Sequence, residues 1–181
     1  VKIGSDQGDV INNNANVDLS GTANSGAIQA NFKVRGCTGK SDAFNIVNLS
    51  AATNTFDAGN DNFETINLVP YTPATAINVT TGAYALGATG GNLTINAGGL
   101  DALSGVTVVG TLSVTPMNIT TGAAADIITL GTKNDTIDSG AGNDSITTTG
   151  GANTISSGDG IDTIVLGAAI DNIDAGAGND I

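Results

Sequence analysis

The stretch "GAGNDSITT" runs from Gly140 to Thr148, and its phrasing returns as "GDGIDTIVL" from Gly158 and as "GAGNDI" from Gly176. Around it an acid or its amide recurs every nine residues, at Asp126, Asp135, Asp144, Asn153, Asp162, Asp171 and Asp180. Two positions after each of the first six stands an isoleucine: Ile128, Ile137, Ile146, Ile155, Ile164 and Ile173. Four positions before each acid or amide stands a glycine or a small polar residue: Gly122, Gly131, Gly140, Thr149, Gly158, Gly167 and Gly176. One loop of Gly, Asn and Asp is an ordinary turn. Seven at a fixed spacing specify a repeating architecture.

The pattern resembles the RTX nonapeptide, whose consensus G-G-x-G-x-D-x-U-x builds a calcium-binding parallel β-roll. The resemblance covers residues 121–181. A loop of six residues and a strand of three make half a coil, so two repeats make one coil of about 18 residues. The isoleucines then point inward and stack from both sides, while glycines take left-handed corners. Coiling by two repeats separates the loops into two stacks. Asp126, Asp144, Asp162 and Asp180 fall on a first side, and Asp135, Asn153 and Asp171 on a second. Neighbours within a stack lie about one strand spacing apart, roughly 4.8 Å. Two carboxylates that close repel by about 3–4 kcal/mol at an effective dielectric of about 20. A hard cation between the loops removes this cost. Calcium suits such a place because it takes six to eight oxygens, from carboxylates and backbone carbonyls, in a tolerant geometry.

The two sides differ. Two positions before the acid, the first side has Gly142, Gly160 and Gly178, whereas the second has Lys133, Gly151 and Ala169. Lys133 supplies a competing cation and Asn153 removes an anionic ligand. Calcium is therefore expected on the first side, between loops 140–144, 158–162 and 176–180. By resemblance its ligands are Asp144, Asp162 and Asp180, with the carbonyls of Gly140, Gly142, Gly158, Gly160, Gly176 and Gly178. Asp126 belongs to the same stack, although Ala124 weakens its loop. An isolated echo, "DAGNDNFETINL" at Asp57–Leu68, offers Asp61 as a further candidate, with Phe63 in the inward slot. The competing account of the tail is a metal-free solenoid in which Asp and Asn only form hydrogen-bonded ladders.

The remainder of the chain is compatible with this scheme. Forty per cent of the 181 residues are hydrophobic but only 3% are aromatic, so the core must be thin and built from Ala, Val, Ile and Leu. Between residues 44 and 120 lie the short β-branched runs "FNIVNLS", "FETINLV", "AINVTT", "NLTINA", "VTVVGTLSV" and "MNITTG". Gly, Asn and Pro separate them, which predicts strands joined by turns. The expected organisation is all-β. Residues 1–43 form a polar segment of loops and short strands. Residues 44–120 form a β-rich segment, an irregular solenoid or a sandwich. Residues 121–181 form the β-roll.

Charge and residue inventory exclude several functions. The net charge is −12, from 17 acids and five bases, and four of the bases lie in the first 40 residues. Nucleic-acid binding needs clustered Lys and Arg, so it is not expected. No apolar run is long enough for a membrane-spanning helix. Cys37 cannot form a disulfide within the chain and has no histidine to activate it, so it reads as an inert thiol. With no His, one Glu (Glu64) and no nucleophile motif, the segment is not expected to be an enzyme. The start at Val1 and the stop at Ile181, within a repeat, read as those of a piece of a longer protein.

The Thr-, Ala-, Asn- and Gly-rich acidic composition and the "FETINL"-type runs extend the resemblance to RTX-type bacterial surface-layer proteins. Cys37 departs from the cysteine-free habit of many of them. That resemblance implies a secreted structural protein of the cell surface, in which calcium drives folding and lattice assembly. The expected partners are copies of the chain itself and, through another part of the chain, outer-membrane polysaccharide. The alternative is a calcium-rigidified segment of a secreted RTX adhesin, toxin or protease. An ice-binding solenoid would need a flat threonine array. The pairs Ile127/Thr129, Ser145/Thr147 and Thr163/Val165 do not form one.

Overall fold

The computed structural model describes residues 15–18, 43–47, 53–56, 65–69, 77–81 and 91–181. Cys37 and the Asp61 loop lie outside them. Among these residues every regular element is a strand, in chain order β1 (Ala15–Asp18), β2 (Ala43–Val47), β3 (Thr53–Phe56), β4 (Thr65–Val69), β5 (Ile77–Thr81), β6 (Leu93–Asn96), β7 (Val106–Gly110), β8 (Met117–Thr120), β9 (Ile127–Leu130), β10 (Thr136–Asp138), β11 (Ser145–Thr148), β12 (Thr154–Ser156), β13 (Thr163–Val165) and β14 (Asn172–Asp174).

From β2 onward the strands alternate between two parallel sheets. One runs β1-β2-β4-β6-β8-β10-β12-β14 and the other β13-β11-β9-β7-β5-β3. Described strands that visit two parallel sheets in turn make a solenoid. Both sheets continue through residues 120–121: β10 pairs with β8 and β9 with β7. From β4 onward the coil tightens. Thr65 pairs with Thr94, Thr94 with Asn118, and Asn118 with Thr136, offsets of 29, 24 and 18 residues. From there the offset stays at 18, with Thr136 on Thr154 and Thr154 on Asn172.

Register explains the core. Ile137, Ile155 and Ile173 form one inward column, and Ile128, Ile146 and Ile164 face them from the other sheet. Ile128, Ile137, Ile146 and Ile155 are at most 1% exposed. Each such side chain contributes about 1.5–3 kcal/mol by leaving water. Upstream, the same columns are filled by Ile66, Leu68, Leu93, Ile95, Met117 and Ile119, opposite Ile77, Val79, Val106 and Val108. Ile164 is only partly buried and Ile173, on β14 at the edge of its sheet, is 43% exposed.

The run "VTVVGTLSV" is a strand only as far as Gly110. The Ser113 amide then donates to the Gly110 carbonyl, and Leu112 and Val114 turn outward. Gly110 permits the crossing, since a Cβ there would meet the Met117 sulphur at 2.5 Å. The strand "TNTF" of β3 carries too little apolar signal for a search for apolar runs to find it.

Candidate metal centre

Between β10 and β11 the chain turns through residues 139–144, and equivalent turns stack above and below it on the first side of the solenoid. The stack is held by side chains that reach both ways. Asp144 Oδ1 accepts from the Asp126 amide at 2.8 Å, one coil back, while Asn143 Oδ1 accepts from the Ile161 amide at 2.8 Å, one coil on. The Asn-Asp pair of "GAGND" is thus a two-way clamp. The acid ladder repeats from Asp162 to the Asp144 amide and from Asp180 to the Asp162 amide, at 2.8 and 3.0 Å. It also reaches upstream of the nonapeptides, where Asp126 Oδ1 takes the Val106 amide at 2.7 Å.

The second side carries the same ladder. Asp135 accepts from the Met117 amide, Asn153 from the Asp135 amide and Asp171 from the Asn153 amide, at 2.8, 2.9 and 2.8 Å. A ladder alone therefore does not distinguish the sides.

Three other features do. The first is the second carboxylate oxygen. Oδ2 of Asp126, Asp144 and Asp162 is buried without a hydrogen-bond partner, and all three atoms lie on the first side. The residues themselves are 1%, 2% and 0% exposed, so water does not compensate. An unsatisfied buried acceptor costs about 1–3 kcal/mol, and more when charged. Second, the hydroxyls of Thr121 and Ser139 adjoin Asp126 and Asp144 but spend their protons elsewhere. Thr121 donates to the Ser139 carbonyl, Ser139 to that of Ser157, and Ser157 to that of Ala175. The carboxylates of Asp126 and Asp144 thus adjoin hydroxyl oxygens whose protons are directed at carbonyls. Third, the positive-φ glycines are Gly140, Gly142, Gly158, Gly160, Gly176 and Gly178 on the first side and Gly151 alone on the second. A Cβ at Gly158 would collide with the Gly140 carbonyl oxygen, and one at Gly176 with that of Gly158. These loops close only with glycine, and glycine brings the backbone oxygens of successive turns into the corner.

Burial governs the protonation of these acids. It pushes Asp144 up to about 6, with smaller upward contributions from the charges of Asp126 and Asp162. Asp135 is likewise pushed up to about 6 by burial, and Asp126 is raised for the same reason. Buried, anionic and short of donors, the first-side carboxylates have the chemistry of a cation site. Among the described residues no three acidic, Cys or His side chains converge on one point. A cation in these corners would thus combine carboxylates of successive turns with backbone carbonyls, a donor set that fits calcium.

The sequence pattern named Asp126, Asp144, Asp162 and Asp180 for this stack, together with the six first-side glycines, and the structure brings them into one corner. Asp180 is half-buried, at the last turn. The contributions of Asn143 and of the Thr121–Ser139–Ser157 hydroxyl column were missed. The signal of the hydroxyl column is a period of 18 rather than nine, visible only once the two sides are separated, whereas Asn143 stands nine residues after Asn134, whose Oδ1 takes the Ala152 amide on the second side.

Comparison with known families agrees with this geometry. Residues 120–155 and 156–181 match the family described as RTX calcium-binding nonapeptide repeat (4 copies). These repeats bind calcium. No curated protein and no solved structure matches the chain.

Proposed function

We propose that this chain is a structural part of a secreted bacterial surface-layer protein, and that calcium bound in the first-side corners drives its folding and its assembly into a lattice. The observation that carries the calcium half of this reading is the row of orphaned Oδ2 atoms on Asp126, Asp144 and Asp162. Loops 140–144, 158–162 and 176–180 would hold the ions through Asp144, Asp162 and Asp180 and the glycine carbonyls, with Asp126 closing the row. Calcium would neutralise the stacked carboxylates there. The lattice half is supported by composition, by the net charge of −12 and by the repetitive walls of the solenoid. An acidic surface of this kind needs divalent ions before copies can approach one another. No catalytic role is assigned to this segment.

Electron microscopy or scattering of the full-length protein across a calcium series tests the reading. Chelation is expected to release soluble protein, and millimolar calcium to regrow ordered arrays. Protein that stays monomeric at millimolar calcium would favour an adhesin, toxin or protease instead.

A further inference from the structure

Asn153 interrupts the acids, and its surroundings differ from theirs. Its Oδ1 accepts from the Asp135 amide at 2.9 Å, as every acid of the ladder does for its own neighbour. This fixes the other end of the side chain, Nδ2, in the place that Oδ2 has in Asp144 and Asp162. There Nδ2 donates to the Gly150 and Gly151 carbonyls at 3.2 and 3.1 Å and to Thr148 Oγ1 at 3.2 Å. The residue is 2% exposed. Three oxygens of one corner thus converge on a single nitrogen. Their counterparts around Asp144, nine positions earlier, are the Ala141 and Gly142 carbonyls and the Ser139 hydroxyl. The corner also has the one positive-φ glycine of the second side, Gly151 at φ 85°.

We propose that the Asn153 amide is a built-in substitute for a cation. It satisfies the carbonyls of an otherwise site-like corner, so turn 149–153 closes without metal, and the acid-to-amide exchange confines calcium to the first side. The inference rests on the calcium reading of the first-side loops and adds a residue that decides where the ion does not bind. It follows that Asn153→Asp converts this corner into a calcium site. The new carboxylate would face the Gly150 and Gly151 carbonyls, beside Asp171, and would need a cation.

The test uses the whole 181-residue chain with free Ca²⁺ as the probe, comparing the unaltered protein, Asn153→Asp and Asn153→Ala by calorimetric titration and by thermal unfolding in chelator and in calcium. Asn153→Asp is expected to unfold at a lower temperature than the unaltered chain in chelator, to recover in calcium, and to bind one more ion. Asn153→Ala is expected to lose stability that calcium does not restore. An Asn153→Asp chain with the original stoichiometry, or one that calcium fails to restabilise, overturns the proposal. If the unaltered chain binds no calcium, the first-side reading falls. Asn153→Asp then still decides this one, through whether calcium raises its unfolding temperature where the unaltered chain shows no rise.

Discussion

Asp162 and Asp171 occupy equivalent positions on opposite sides of the solenoid. Each accepts a backbone amide from the coil before it, at 2.8 Å in both cases. Removing either carboxylate orphans that amide, at a cost of about 1–3 kcal/mol where it is buried. The difference lies in the second oxygen, which in Asp162 is buried and unpartnered among the oxygens of a glycine-lined corner. Asp162→Ala is therefore expected to lower calcium stoichiometry. At a hundredfold excess of calcium over Kd it should remove about 2.7 kcal/mol of calcium-dependent stability for each site lost. Asp171→Ala should leave the stoichiometry unchanged. Calorimetric titration of both variants checks this, and equal losses would overturn the assignment of sides.

The corner stack, as an element, couples folding to pH. Asp144 and Asp135, pushed up to about 6 from an ordinary 3.8, bind protons more readily folded than unfolded. In chelator their contribution to stability is fully present below pH 3.8 and is lost as pH rises through about 6. Calcium reverses the preference, because its ligands must be deprotonated. The expected outcome is a crossing. In chelator the unfolding temperature rises as pH falls from 7 to 5, whereas apparent calcium affinity declines over the same interval. Unfolding curves at several pH values with and without calcium measure both limbs. An unfolding temperature in chelator that is flat across that range would show that burial does not hold these acids protonated.

Among the described residues, the interior of the solenoid is narrow, made of aliphatic columns from two facing sheets, and each coil rests on its neighbours. Stability is then close to a sum of coil and interface contributions, so one end can open while the other stays folded. The described upstream strands β6 and β8 each bury two large side chains, Leu93 with Ile95 and Met117 with Ile119, whereas β10, β11 and β12 each bury one isoleucine, Ile137, Ile146 and Ile155, beside a stack of carboxylates. Chelation is accordingly expected to melt residues 121–181 first and to leave strand signal from the coils before them. Circular dichroism with hydrogen exchange, in chelator and then in calcium, resolves the two parts. A β spectrum and tail protection that are unchanged by chelator would mean that the aliphatic column alone sustains the coil.

The period of nine, read with elementary strand geometry, determined the parallel coil of residues 121–181, its inward isoleucines and the division of the acids between two sides. Those properties follow from spacing, and spacing is visible in one dimension. Upstream the offsets vary between 29 and 20 residues, so no period betrays that residues 65–120 continue the same two sheets. Strands such as "INVTT" were legible from β-branching, but their parallel pairing is a long-range choice that local pattern does not encode. The inequality of the two sides was foreshadowed by Lys133, Asn153 and Ala169. Its physical basis depended on the fold, because whether a carboxylate oxygen finds a donor depends on what the coils before and after it present. Asn153 condenses the distinction: its sequence says that a charge is missing, and only the tertiary structure shows the amide nitrogen facing the oxygens left without one.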